Sequence, residues 1–135
     1  MARGCRVRRK LAVPRAAWVV ANVPTVERVL MADEATIQRA AATLLEAAHA
    51  PARVILFGSH AQGRAGPDSD LDFLVIEEVV ESRVEEAGRL RSALGNLGAP
   101  VDILVYSEAQ VREWGEVENT ALFEALREGR VLEGA

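Results

Sequence analysis

Three short apolar runs rich in β-formers, residues 53–57, 71–76 and 101–106, constrain this chain more than any other feature of it. Each has the length and composition of a strand. Their connections differ. The first leads to the second through turn-formers, Gly63, Gly66, Pro67, Asp68 and Ser69, with no helical pattern between. The second leads to the third through residues 82–97, where Val84, Ala87, Leu90, Leu94 and Leu97 recur along one side of a helix. A short loop suits antiparallel partners, and a helical crossover permits parallel ones. A mixed sheet follows.

The flanks supply more helices. Asp33 is placed to cap a helix running to about Ala48, with Ile37, Ala40, Ala41, Leu44, Leu45 and Ala48 in one stripe, and Pro51 beyond its end. Gly98 and Pro100 are expected to stop the second helix. Ser107 is placed to cap a last helical region from Glu108 to about Glu128, broken near Gly115, and Val131-Leu132 adds a short extended piece. The predicted class is α/β (α+β): a small mixed sheet of three to four strands covered by helices. Aromatic residues make up only 4% of the chain, so the core must be aliphatic.

Charge divides the chain. Residues 1–31 hold seven Arg or Lys and one acid, a net of +6; residues 32–135 hold nine Arg and nineteen acids, a net of −10; together they give −4. Residues 1–31 are therefore expected to be a basic, flexible N-terminal extension, and residues 32–135 one domain. Pro14 and Arg15 interrupt the apolar stretch that follows the early arginines, and no small-residue cleavage site comes after it, which argues against an export signal. A start at Met31 is an alternative origin for the extension. One cysteine, Cys5, cannot form an internal disulfide, which suits a reducing cytoplasm. No stretch approaches a membrane span. A body this acidic does not suit direct nucleic-acid binding, which needs a basic face. It suits a ligand carried by cations, or a basic protein partner.

Asp70 and Asp72 stand two apart on the second strand, so their side chains share a face. Two carboxylates this close repel each other unless a cation lies between them, and Mg²⁺ is the common one at phosphate sites. Asp102 opens the third strand. If the second and third strands are neighbours, the three acids can hold two metal ions, one orienting a triphosphate and one activating a hydroxyl. Gly58-Ser59 closes the first strand, where glycine lets backbone amides approach an anion. The Ser59 hydroxyl adds a donor, and Arg64 is in reach of a triphosphate from outside. Each piece alone is weak; their joint occurrence, in order, is what singles them out.

The run from Gly58-Ser59 through Gly63-Arg64 to Ser69-Asp70-Leu71-Asp72 closely resembles the signature of the DNA polymerase β-like nucleotidyltransferase superfamily: Gly-Ser, a spacer, Gly, then Ser-Asp-x-Asp. Val101-Asp102-Ile103-Leu104 resembles the strand carrying that family's third acid. The size is similar to minimal nucleotidyltransferases of the MntA antitoxin type. The resemblance implies the nucleotidyltransferase fold. It implies Asp70, Asp72 and Asp102 as catalytic metal ligands, with Asp102 as base, and Gly58, Ser59, Arg64 and Ser69 as nucleotide-binding residues. It implies transfer of a nucleoside monophosphate from a triphosphate, ATP foremost, to a hydroxyl, with Mg²⁺. Minimal members usually pair with a HEPN-domain toxin and silence it by adenylylating a tyrosine. Gln62 stands where many relatives have a basic residue.

The chain shows no added acceptor-binding domain, which favours a protein acceptor. Two other readings stay open at this stage: a non-catalytic module that neutralises a HEPN partner by covering it, and an antibiotic-modifying subunit. Homo- and hetero-oligomers are equally compatible. Among other residues, His49 is expected to serve the helix dipole. Glu77, Glu78 and Glu81 are expected to form a solvated acidic face.

Overall fold

A computed structural model of the protein describes residues 33–66 and 69–132. The expectation for residues 1–31 lies outside the described residues. The described elements run α1 (Glu34–Ala47), β1 (Ala52–Phe57), β2 (Leu71–Glu77), α2 (Arg83–Leu94), β3 (Val101–Ser107), α3 (Glu108–Trp114), α4 (Ala121–Glu128) and β4 (Arg130–Leu132).

The sheet has four strands in the order β3-β2-β1-β4. The loop-joined pair β1/β2 is antiparallel, and the helix-joined pair β2/β3 is parallel. β4 adds antiparallel to the free edge of β1, with Ile55 opposite Val131. The sheet is thus mixed, as the connection lengths require, and the class is α+β.

Both faces of the sheet are covered. Successive residues of β2 point to opposite sides. Leu71, Phe73 and Val75 pack with Val54, Leu56 and Val105 beneath α1 and α2. Leu74 and Ile76 pack with Ile55, Phe57, Leu122 and Ala125 beneath α4. α1 presents Ala40 and Ala41 to the core, small side chains that let the helix sit close to the sheet. Its start is set by Asp33, whose carboxylate accepts the Thr36 N–H at 2.9 Å. Ser82 caps α2 through the Glu85 N–H. Ser107 and Gln110 form a reciprocal capping box that starts α3 where β3 ends.

Two local expectations need correction. α2 stops at Leu94, three residues before the expected end, because Gly95 takes φ +69° and its N–H turns back to the Ser92 carbonyl. Leu97 still packs against the core, but from the following loop. Val84, expected on the apolar side of this helix, is exposed. Among the described residues, no helix is long and apolar enough to cross a membrane.

Candidate active site

β2 and β3 run parallel with Asp72 directly opposite Asp102. Asp70 lies just ahead of β2, and the Leu71 N–H donates to the Pro100 carbonyl at 2.8 Å, which ties the starts of the two strands together. The three carboxylates converge: an oxygen from each lies within 4.8 Å of the others. Asp70 and Asp102 are exposed, while Asp72 is partly buried. The sequence placed these acids on one face, and strand register brings them to one point.

The charge there is costly. Burial, then the Asp102 and Asp70 carboxylates, then Glu124 of α4, push the Asp72 carboxyl up to about 6. A cation among the three would reverse this repulsion. The donors are all carboxylate oxygens, the set that a hard divalent ion such as Mg²⁺ prefers. The residues therefore fit the metal that their arrangement implies.

Gly58 is fixed by Asp72. It has φ +77°, and a Cβ placed on it would lie 2.4 Å from Asp72 Oδ2. Glycine here is what lets β1 end against the carboxylate. Beyond it, residues 59–63 form a tight turn rather than a helix. The Gln62 N–H donates to the Gly58 carbonyl and the Arg64 N–H to the Ser59 carbonyl at 2.9 Å. The loop returns through Ser69, whose hydroxyl accepts the Gly66 N–H at 2.8 Å. Ser69 thus shapes the loop that delivers Asp70.

Arg64 is held by a neighbour. Its guanidinium donates to Gln62 Oε1, and the Gln62 amide donates onward to Glu128 Oε1 at 2.6 Å. Gln62 therefore links Arg64 to the end of α4. Sequence reasoning missed Glu124 and Glu128. Nothing local marks them; they reach the site only because α4 packs on the Asp72 face of the sheet.

A parallel strand pair bearing opposed carboxylates, beside a strand that ends in a Gly-Ser turn, defines a small α+β domain with an acidic site at the strand ends. The nucleotidyltransferase domain family matches residues 37–128, well over half of the chain, and the chain belongs to that family. No curated protein sequence gives a significant match. Among solved structures, the chain is similar to one described as a crystal structure of a toxin-antitoxin with AMP-PNP. The identity is 24%, covering 73% of this chain and 73% of that chain, with a TM-score of 0.48.

Proposed function

We propose that this nucleotidyltransferase domain transfers a nucleoside monophosphate from a triphosphate, ATP foremost, to a tyrosine hydroxyl of a partner HEPN-domain toxin, acting as its antitoxin in the cytoplasm. One observation carries the enzymatic part: Asp70, Asp72 and Asp102 converge within 4.8 Å beside Gly58, whose lack of a side chain leaves room for the Asp72 carboxylate. The acceptor and partner rest on the resemblance of the signature to the nucleotidyltransferase superfamily and of the size to its minimal members.

In this reading the turn after β1 receives the triphosphate. Its internal hydrogen bonds use the N–H groups of Gln62, Gly63 and Arg64. The amides ahead of these, at Ser59, His60 and Ala61, are assigned to phosphate oxygens together with the Ser59 hydroxyl. Arg64 neutralises charge from the rim, and Ser69 positions Asp70. Mg²⁺ ions held by Asp70, Asp72 and Asp102 would neutralise the triphosphate and make the acceptor hydroxyl more acidic. Asp102 accepts the hydroxyl proton. The acceptor oxygen bonds to the α-phosphorus, the bond from that phosphorus to the bridging oxygen breaks, and pyrophosphate leaves.

The test is incubation of the full chain with α-labelled ATP, Mg²⁺ and a purified HEPN-domain partner. Label on a partner tyrosine, with release of pyrophosphate, is expected. Absence of label with every triphosphate and divalent metal tried overturns the reading. Neutralisation that survives Asp70→Asn with Asp72→Asn would instead favour a non-catalytic module.

A further inference from the structure

Among the described residues, a second cluster of metal-ligating side chains lies away from the three aspartates: His49, Glu77 and Glu86. Glu77 ends β2, and with side chains alternating along the strand it faces the α1/α2 side, opposite to Asp72. The two stand five positions apart, about 17 Å along a strand. Glu77 is fully buried, against the expectation of a solvated acidic run. A buried carboxylate needs a positive partner or hydrogen-bond donors. Its Oε2 accepts the His49 N–H at 3.1 Å, but its buried Oε1 meets no hydrogen-bond donor among the described residues. What that oxygen does face is His49 Nδ1 at 3.7 Å, and the same nitrogen lies 3.6 Å from Glu86 Oε2.

We propose that His49 Nδ1, Glu77 Oε1 and Glu86 Oε2 form a binding site for a divalent transition-metal ion of the zinc type, distinct from the carboxylate site at Asp70, Asp72 and Asp102. One imidazole with two carboxylates is a donor set that suits zinc, whereas the all-carboxylate cluster suits magnesium. Tetrahedral zinc with bonds of ~2.0–2.1 Å sets its ligands ~3.4 Å apart, so the two separations from His49 Nδ1 need to close by only a few tenths of an ångström, and an oxygen of each carboxylate lies within 4.8 Å of the other ligands. The ligands are also held from behind. The His49 N–H fixes Glu77, and Arg89 fixes Glu86 with donations to Oε1 at 3.1 Å and Oε2 at 2.5 Å. Outer partners of this kind are what orient ligands at metal sites.

The cluster opens on a groove of about 490 Å³, which gives an ion access and leaves room for coordinating water. Glu81 and Glu85 line the same groove. Set against Arg89, the four glutamates Glu77, Glu81, Glu85 and Glu86 leave it acidic. The competing occupant is a proton. Burial, then the facing Glu86 carboxylate, raise the Glu77 carboxyl, while Arg89 holds Glu86 down at about 2. A proton shared between the two carboxylates is what an ion there would displace.

The experiment uses the full chain carrying Asp70→Asn and Asp72→Asn, so that the first site is disabled. It is titrated with zinc against a chromophoric chelator at pH 7.5 in millimolar Mg²⁺. One zinc ion per chain is expected, its affinity falling at least tenfold on adding His49→Ala and again on adding Glu77→Gln. Zinc should raise the melting temperature of the parent and leave that of His49→Ala unmoved. No zinc uptake, or uptake indifferent to both substitutions, overturns the site and leaves the shared proton as its occupant. The His49 side chain is 69% exposed, so His49→Ala stays informative even if Glu77→Gln disturbs the fold.

Discussion

Two acidic clusters hang on one strand, and they solve the same electrostatic problem in opposite ways. At the start of β2, Asp72 meets Asp102 through parallel register, and both Asp70 and Asp102 stay open to solvent. At its end, Glu77 is buried on the α1/α2 side at the floor of a groove, with Glu86 and His49 brought from two other segments. The first is a cluster of like charges set out where a metal ion can reach it from solvent. The second is a buried charge surrounded by fixed partners. Strand alternation accounts for the pairing: even positions of β2 face α4, odd positions face α1 and α2. Repulsion is tolerated where solvent screens it, and must be relieved by a proton or an ion where it does not.

The contrast can be broken most severely at the open cluster. On the proposed function, Asp72→Asn should reduce nucleotidyl transfer by about a thousandfold or more, because Asp72 would hold a metal ion that stabilises charge in the transition state. Single-turnover kinetics with labelled ATP would show this, and residual activity within tenfold of the parent would refute the assignment. Gly58→Ala should cost about 2–3 kcal/mol, from a side chain at φ +77° and its contact with Asp72. Adding Asp72→Ala should restore part of that stability, measured by urea unfolding, without restoring activity. If the double variant is no more stable than Gly58→Ala, the two residues are not in the contact described.

At the Glu77 cluster the expected effect is smaller and depends on pH. The Glu77 carboxyl is raised above its unfolded value, so the folded state holds its proton more tightly. Without a divalent ion, this contribution is present below the unfolded value near 4.5 and is lost as pH rises through the raised one. Glu77→Gln should therefore melt a few degrees higher than the parent near neutral pH in the presence of a chelator, and about equally at pH 4. A lower melting temperature at both values would show that the carboxylate, not the acid, is the favoured form.

The smallest effect belongs to Asp72 as a structural residue. Its carboxyl is raised from 3.8 to about 6, so burial of its charge, and then repulsion from Asp102 and Asp70, weaken the metal-free fold as pH climbs across that window. Asp72→Asn should stabilise the metal-free protein at pH 7 by about 1 kcal/mol, well under the full value of the shift because the group is partly solvated. The gain should vanish at pH 3.5. A variant less stable than its parent at pH 7 would mean that neither burial nor the neighbouring acids make the Asp72 charge costly.

The clusters also differ in how far they can be read without a structure. Asp-x-Asp on a β-rich run announces a shared face because strand periodicity is local. The caps at Asp33, Ser82 and Ser107 are legible for the same reason: each depends on a side chain and an amide three residues apart. The end of α2 is not. Leu94 and Leu97 continue the apolar spacing, and only the backbone turn at Gly95 decides that Leu97 reaches the core from a loop. Glu77 reads as one more acid in a polar run because its burial depends on His49 and Glu86, 28 residues before it and nine after.

By itself the sequence determined the order of elements, the mixed sheet and the identity of the three aspartates, since connection length, apolar period and a short signature are properties of neighbouring residues. Only the tertiary structure decided which strands adjoin, and with that the meeting of Asp72 with Asp102, the reason Gly58 must lack a side chain, and the approach of Glu124 and Glu128 from α4. It also converted Glu77 from a presumed surface acid into the centre of a second cluster. The physical reason is common to all of these. Charge and space act through distance in the fold, and a distance between residues far apart in the chain exists only once the helices have packed on both faces of the sheet.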